Sequence, residues 1–387
     1  MPSAEWQDER FAPLATKPAS PPHAPSTQTA AKQTPALIPA RISPSAQAVH
    51  ETWVPLQRWS RNEGWDSPLQ LSPAPLPSFS MHSTNGVVVF RTGSQVAQWD
   101  DAEVRLGFAP QIIDGQPYVH SLDLKKTVQP LLAGQNAFGS NGHPVIVVDP
   151  GHGGENAGTK SVLAEHYEKE FTLDWALRLQ RALASSNCEV LLTRADDTDL
   201  ALSNRVAFAA SHKADIFLSL HFNSAAPNQN EAGLETYCLT PAGMPSSITR
   251  GFADDLNVSF PNNAFDIQNL QLALGVHRAL LQVNGHRDRG IRRARFPGVL
   301  RAQDRPAILV EGGYLSNPDE ARLIADPGYR QKLAAAVASG VMQALRLSNH
   351  SPERNTERQE SKTLFRPEKS ERSTAGTERA EAAANSP

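Results

Sequence analysis

Four short, continuously apolar segments in the second half of the chain constrain its fold most strongly. They are VIVVD (145–149), EVLLT (189–193), DIFLSL (215–220) and AILVE (307–311). Segments with helical periodicity alternate with them, and strands that are apolar on both faces and alternate with helices are typical of a parallel sheet covered on both sides. The sequence therefore predicts an α/β fold over residues 144–347, with a doubly wound, mostly parallel sheet and helices on both faces.

Shifts in composition divide the rest of the 387-residue chain. Residues 1–48, rich in Pro, Ala and Ser, and residues 348–387, dense in charge, cannot bury enough apolar surface to offset their ordering entropy, so both are predicted to be disordered. Residues 49–133 contain β-prone pieces, an Asp-Gly hairpin signal and the amphipathic stretch LDLKKTVQPLL, which together predict a small α+β domain. Residues 134–143, rich in Gly and Asn, are predicted to be a linker.

Net charge, the length of apolar runs and the positions of the cysteines limit the class of protein that this chain can be. The net charge of −3 favours neither nucleic acid nor an acidic membrane surface as a partner. No apolar run approaches the ~18 residues of a membrane span, and the first residues, MPSAEWQDERFAP, lack the basic start and apolar core of a secretion signal. Cys188 and Cys238 both lie in apolar runs and are predicted to be buried thiols, although a bridge between them stays open.

Polar residues that bear chemistry follow or end three of the predicted strands. His152 follows the first strand in VIVVDPGHGG, His221 follows the third, and Glu311 is the last residue of the fourth. Because the carboxyl ends of parallel strands share one edge of a sheet, where ligand sites gather, these three side chains are expected to converge.

Glu168 is the expected fourth member of this group. At the start of the first helix it shares a face with Phe171 and Trp175, and a carboxylate on an apolar stripe is costly unless it has a cation or donors. Glu165 lies in the preceding loop and Glu170 points from a different face, so neither is preferred.

Two histidines and one glutamate with a fourth position open form a common catalytic zinc set. The sequence therefore predicts one Zn²⁺ held by His152, Glu168 and His221, with Glu311 as the general base for water and the acid for the leaving amine. Taken singly, each of these residues is more often an ordinary polar side chain. Their placement together at one edge of the predicted sheet is what indicates a metal site.

The same residues lie in seven blocks that resemble, in order, the zinc-dependent N-acetylmuramoyl-L-alanine amidases, the bacterial cell-wall amidases of the family 3 type. The blocks are VIVVDPGHGGENAGT, EKEFTLDWALRL, VLLTRADDTDLALSNRVAFA, ADIFLSLHFNSA, GLETYCL, DRGIRRARFPGVLR and PAILVEGGYLSNPDEARLI. The resemblance spans residues 144–346 and implies zinc ligands at His152, Glu168 and His221 and a catalytic Glu311. It implies hydrolysis of the amide between N-acetylmuramic acid and the L-alanine of the stem peptide.

The resemblance also implies a peptidoglycan substrate, a role in cell-wall remodelling or daughter-cell separation, and a periplasmic or extracellular location. A monomer is expected, with room for an activator of the cell-division type. The tract RTGSQVAQWDDAEVRLGFAPQIIDGQPYVHSLDL resembles the stalk module named after the amine-oxidase N-terminal domain, which predicts a spacing or wall-binding role for residues 49–133.

Two further residues are predicted to bind substrate: Asn223, two positions after His221, and Arg293, in the basic run RDRGIRRAR, since Arg recognises carboxylates well. Residues 224–289 are expected to serve the fold rather than to supply a helix that blocks the site. Two other functions stay open: a zinc carboxypeptidase-like peptidase acting on stem peptides, and a wall-binding protein without catalysis.

Overall fold

The computed structural model of the protein describes residues 52–73, 75–134, 142–163, 165–283 and 287–348. The predicted N-terminal arm, most of the predicted linker and the charged tail beyond Ser348 lie outside these residues. None of the helices in the described part of the chain is long and apolar enough to cross a bilayer.

The described residues form fourteen strands and nine α-helices. The strands are β1 (Trp53–Pro55), β2 (Leu69–Gln70), β3 (Ser78–Ser83), β4 (Gly86–Arg91), β5 (Val96–Trp99), β6 (Ala102–Arg105), β7 (Gln111–Ile113), β8 (Gln116–His120), β9 (Val145–Pro150), β10 (Glu189–Leu192), β11 (Ile216–Asn223), β12 (Leu234–Leu239), β13 (Asp288–Ala294) and β14 (Ala307–Tyr314). The helices are α1 (Leu56–Asn62), α2 (Ser121–Asp123), α3 (Gln129–Ala133), α4 (Glu168–Leu183), α5 (Leu202–Ser211), α6 (Asp266–Leu281), α7 (Gly298–Arg301), α8 (Pro318–Ala325) and α9 (Pro327–Ser348). A π-helical turn, Leu124–Val128, joins α2 to α3, and a 3-10 turn, Pro261–Phe265, precedes α6.

One sheet of eleven strands carries the site. Its order is β10-β9-β11-β14-β12-β13-β6-β5-β4-β3-β2. The four strands predicted from the sequence, β10, β9, β11 and β14, are mutually parallel, as expected. Two strands were not predicted: β12, which runs antiparallel to β14, and β13, which runs parallel to β12. The sheet is therefore mixed but mostly parallel around the site.

Helices cover both faces of this sheet. In β9, Ile146 and Val148 join the apolar cluster that contains Trp175 of α4, while the intervening Val147 joins a second cluster with Ala209 of α5 and Leu300 of α7. Alternate residues of a strand point to opposite faces, so each face has its own core. The predicted doubly wound α/β class is confirmed.

Helix α4 fixes the position of Glu168. Phe171, Trp175 and Leu179 are buried at helical spacing, so they orient the helix against the sheet. The side chain of Glu170 accepts a hydrogen bond from the backbone N–H of Tyr167 (3.2 Å), which satisfies one donor at the helix start. Glu168 is thereby the first helical residue and faces inward.

Residues 52–134 form an antiparallel meander, β2–β6, and a small three-stranded sheet, β1-β8-β7. The Asp-Gly signal is a two-residue hairpin turn, with φ of +49° at Asp114 and +75° at Gly115. The meander continues the large sheet through the pairing of Val104 with Ile291, and its apolar residues belong to the same core as α4 and α6. The division of the chain into domains stays a prediction.

Both cysteines are free thiols. The Sγ atom of Cys188 lies 3.8 Å from Sδ of Met342, whereas that of Cys238 donates to the backbone oxygen of Asn269 at 3.3 Å. Cys238 is fully buried and Cys188 half-buried, so the expectation of buried thiols holds fully for Cys238 alone.

Candidate active site

The carboxyl ends of three parallel strands bring the predicted residues to one edge of the sheet. His152 lies two residues after β9, and His221 of β11 is paired in register with Glu311 of β14. Glu168 opens α4, which packs on the same strands. All four side chains are at least nine-tenths buried.

Three of these side chains form a compact cluster that could hold a metal ion. The candidate ligand atoms of His152, Glu168 and His221 all lie within 4.8 Å of one another. Oε2 of Glu168 is 3.0 Å from Nε2 of His152, and Oε1 is 3.0 Å from Nδ1 of His221. The two imidazole rings stand nearly perpendicular, with centroids 4.8 Å apart.

Glu168 is held as an anion in this cluster. Burial alone would raise its pKa, but the neighbouring imidazoles of His152 and His221 outweigh burial and hold that pKa well below its usual range. Its two oxygens also accept backbone N–H bonds from Phe222 (2.9 Å) and Thr159 (3.1 Å). Glu168 is therefore a fixed, negatively charged oxygen donor.

The remaining contacts of His152 suit a metal ligand. Its Nδ1 lies 2.9 Å from Oδ1 of Asn156, which leaves Nε2 on the side of Glu168. A hydrogen bond from the second ring nitrogen to a side-chain oxygen orients an imidazole ring and makes its other nitrogen more basic, as is usual for zinc-binding histidines. The carboxylates of Glu165 and Glu170 lie outside this cluster. Glu165 forms an exposed ion pair with Lys160, and Glu170 forms an exposed pair with His166.

A tight turn brings His152 to this position. Its φ is +64°, and Cβ atoms built on two nearby glycines would collide with the cluster: at Gly151 one would lie 2.3 Å from Cε1 of His221, and at Gly158 one would lie 2.7 Å from Cδ2 of His152. Only glycine lets the backbone approach the rings this closely.

Two buried arginines hold the carbonyl groups of this turn. Arg205 donates to the oxygens of Pro150 (2.9 Å) and His152 (2.8 Å), and Arg194 donates to that of Gly151 (2.8 Å). They supply donors to three successive backbone carbonyl groups of the turn, from Pro150 to His152. Their role is structural, and they fix the position of His152.

Glu311 faces the cluster from the neighbouring strand. Burial raises the pKa of Glu311 to about 8; the carboxylates of Glu168 and Glu235 act in the same direction, and Arg250 acts against it. Among the described residues, its Oε2 atom has no hydrogen-bond partner. A buried carboxyl oxygen without a partner is rare, and here it faces the candidate metal ligands, where a reacting water or amide would satisfy it.

The sequence matches a known family over this region. The profile of the N-acetylmuramoyl-L-alanine amidases covers residues 146–343, about half of the chain, including the three residues of the cluster and Glu311. The chain belongs to this family. It is an enzyme, and its activity is amide hydrolysis in peptidoglycan.

Several curated relatives carry the same activity in their names. The amidase is 30% identical to N-acetylmuramoyl-L-alanine amidase AmiA of Escherichia coli (strain K12) over an alignment of 224 residues, and the match covers 52% of this chain and 76% of that relative. It is 32% identical to the amidase CwlM of Bacillus licheniformis over 207 residues, 53% of this chain and 70% of CwlM. Among solved structures, the catalytic domain of CwlV from Bacillus (Paenibacillus) polymyxa var. colistinus is similar, with 32% sequence identity and a TM-score of 0.43. The match covers 53% of this chain and 99% of the CwlV domain.

The structure separates the two predicted substrate-binding residues. Asn223 lines the cavity that contains the cluster, together with Arg289. Arg293 lies outside this lining: its guanidinium is buried and donates to the backbone oxygen of Lys126 (3.0 Å) and to Oγ1 of Thr127 (3.1 Å). Of the basic run, Arg289 is thus the residue that reaches the cavity of the amidase.

Two cavity residues were missed in the sequence analysis. Glu235 of β12 is buried directly opposite Glu311, and Arg250 enters from the irregular segment between β12 and α6. Nothing in the local pattern around Arg250 marks it. Glu235 gives one signal, an acidic residue within the apolar strand LETYCL. Helix α6, in the middle of residues 224–289, packs on α9 and β12 as part of the core.

Proposed function

We propose that the amidase cleaves the bond between N-acetylmuramic acid and the stem-peptide L-alanine with one zinc ion held by His152, Glu168 and His221. The observation that carries this proposal is the buried cluster of two imidazoles and one ionised carboxylate beside an unpartnered Glu311 oxygen. Two nitrogens and one oxygen donor are a ligand set that suits zinc. When bound, such an ion polarises the scissile carbonyl and makes water more acidic.

Glu311 moves the protons in this proposal. Its carboxylate takes a proton from the attacking water and later gives it to the leaving amine nitrogen. A carboxyl group whose pKa is raised toward neutrality by burial can do both, because it can accept and release the proton near the working pH. With an ion held by His152, Glu168 and His221, Glu311 would ionise more readily, as a general base must.

Glu168 and the turn before it keep the ligands in place. The carboxylate of Glu168 is held by two backbone N–H groups, and the ring of His152 by Asn156. These contacts fix the donors before any ion or substrate arrives. A preorganised set of this kind loses little free energy to rearrangement during the reaction.

The amidase is proposed to act in the cell envelope, where peptidoglycan lies, in wall remodelling or daughter-cell separation. It is proposed to act as a monomer that binds peptidoglycan and no nucleic acid, and to accept an activator of the cell-division type. Fractionation of the native host, with antibody against the chain, tests the location; an exclusively cytosolic pool would contradict it.

The deciding experiment is mass spectrometry of the products that the full chain releases from purified peptidoglycan. Stem peptides with a free L-alanine amine are expected, abolished by chelation and restored by zinc. Glu311→Gln, a near-isosteric variant, is expected to release none. Free terminal amino acids would instead indicate the peptidase, and a folded, zinc-loaded chain that releases nothing would indicate a wall-binding protein.

A further inference from the structure

Arg250 is a cation beside the general base that the proposed mechanism does not use. Its Nη1 atom lies 4.0 Å from Oε1 of Glu311, and its side chain lines the same cavity as His152 and His221. The side chain of Arg250 is 14% exposed, so it is largely removed from bulk water yet reachable from the cavity.

The guanidinium of Arg250 is held rigidly from behind. Nη2 donates to Oδ1 of Asn223 (3.1 Å) and to the hydroxyl of Tyr237 (3.2 Å), and its Cζ lies 5.0 Å from the ring centroid of Phe296. These contacts all engage Nη2 or the flat face of the group. Within the described part of the chain, the contact of Nη1 is the longer approach to Glu311, so Nη1 is the donor that remains for a ligand.

Glu235 anchors this arrangement. Its carboxylate accepts from Nδ2 of Asn223 (3.0 Å) and from the Tyr237 hydroxyl, and lies 3.8 Å from Nη2 of Arg250. Tyr314 adds a third donor at 3.0 Å. A buried anion with this many donors fixes both side chains that hold Arg250.

We propose that Arg250 is a further catalytic residue, which donates from Nη1 to the scissile carbonyl oxygen as that oxygen gains negative charge. This inference rests on the proposed function. As the water oxygen bonds to the carbonyl carbon, one water proton passes to Glu311 and the π electron pair moves to the carbonyl oxygen. As the C–N bond breaks, the pair returns to form the acid product, and Glu311 delivers the proton to the departing nitrogen.

Distance supports this role. The attacking water must lie within about 3 Å of Glu311, and the carbonyl group within a similar distance of that water. Nη1 of Arg250 lies 4.0 Å from Oε1 of this carboxylate, so it lies within reach of a group that reacts at the neighbouring Oε2. A cation fixed in advance near developing charge is effective because nothing reorganises during the reaction, and removal of one such donor typically costs about 10²–10³ in kcat.

The segment that carries Arg250 is held by other contacts. Arg295 donates to the backbone oxygens of Pro241 (2.9 Å) and Met244 (2.8 Å) and forms an ion pair with Asp254 (2.5 Å). Arg301 stacks on Phe252 of the same segment, with its Cζ 4.8 Å from the ring centroid. The segment therefore has anchors on both sides of Arg250, and substitution of Arg250 is not expected to release it.

The test compares Arg250→Gln and Arg250→Lys in the full chain with Arg301→Gln, an arginine that contacts the same segment outside the cavity. Arg250→Gln is expected to lower kcat by about 10²–10³-fold with KM changed only a few-fold, and Arg250→Lys to lower kcat less. Zinc content and unfolding midpoint are expected to match wild type. Methylguanidine should partly restore turnover by Arg250→Ala, because the guanidinium is reachable from the cavity.

A second readout does not depend on turnover. A phosphinate analogue of the scissile amide should bind Arg250→Gln more weakly than wild type by about the same factor as the loss in kcat/KM. Intact muropeptide should bind Glu311→Gln equally with or without the change at Arg250. If Arg250→Gln stays within three-fold of Arg301→Gln, or if the loss lies in muropeptide affinity, the inference is wrong. Absence of hydrolysis by wild type would instead refute the proposed function together with this inference, whereas hydrolysis by wild type with an unimpaired Arg250→Gln would refute this inference alone.

Discussion

Glu235 and Glu311 lie directly opposite each other on neighbouring antiparallel strands, and both are buried. Burial opposes ionisation of both, but the contacts of Glu235 with Arg292, Tyr237 and Arg289 outweigh it and keep its pKa below the usual range. Glu311 has no such set of donors, and its pKa rises to about 8. One carboxyl group thus serves as a permanent anion and its neighbour as a proton carrier, which is how two like groups acquire different roles.

Metal content and turnover should separate the roles of two glutamates. Glu311→Gln is expected to bind zinc as wild type does while kcat falls by at least about 10²-fold, because only proton transfer is lost. Glu168→Gln removes the anion between His152 and His221, so zinc affinity itself should fall. Zinc titration by calorimetry and product release by mass spectrometry check both; equal zinc loss in the two variants would contradict the assignment.

Gly151→Ala should disturb the metal site without touching a ligand. The added Cβ would lie 2.3 Å from Cε1 of His221, so the ring or the turn must shift. Zinc affinity is expected to fall by about 10- to 100-fold, as for other losses of ligand orientation. Gly328→Ala, where the nearest atom is a flexible Asp326 oxygen at 3.4 Å, is the matched control and should bind zinc normally.

Asp123 should make stability depend on pH. Burial raises its pKa from 3.8 to about 6, against hydrogen bonds from the backbone of Gly107 and Phe108 and the charge of Arg293. The folded state therefore binds this proton more tightly than the unfolded state, and stability should fall as pH rises from about 4 to 6. The loss is on the order of 3 kcal/mol, from about two pKa units.

Urea unfolding at several pH values checks this contribution. Asp123→Asn should be less stable than wild type at about pH 4, because one backbone donor loses its acceptor, and it should lack the fall between about pH 4 and 6. Asp66→Asn, at an exposed position of the same region, should keep the fall. A parallel pH dependence in wild type and Asp123→Asn would show that another group is responsible.

Removal of residues 1–141 should destabilise the catalytic region. Strand β13 would lose its neighbour at Val104, Ile291 would be uncovered, and the buried guanidinium of Arg293 would lose its acceptors at Lys126 and Thr127. Uncovering large apolar side chains costs about 1.5–3 kcal/mol each, so a drop in Tm on the order of 10 °C is expected. Scanning calorimetry checks it; an unchanged Tm would support a separable accessory domain.

Much of the site could be anticipated from its strands. Continuous Val, Ile and Leu predicted the parallel strands, and the positions of His152, His221 and Glu311 at their ends placed them on one edge. Helical spacing from Phe171 placed Glu168 on the inner face. These inferences depend only on strand direction and helix period, which local sequence encodes well.

Other features depend on contacts that sequence does not encode. Arg289 and Arg293 are four residues apart on β13, about 13 Å along an extended strand, so only one of them reaches the cavity. Strand β12 runs antiparallel to its neighbour β14, so its carboxyl end lies at the opposite edge of the sheet from the carboxyl end of β14. Arg250 lies in a segment with no helix or strand period, and only its contacts with Asn223 and Tyr237 reveal it.

The pairing of β6 with β13 changes where the large sheet ends. Without the meander, the seven residues of Asp288–Ala294 would present an open row of backbone donors and acceptors, a template on which another chain could add a strand. With it, the sheet terminates on that side in β2, which is only two residues long. Residues 52–134 therefore place β13 inside the sheet, so that it is no longer a terminal strand to which another chain could add.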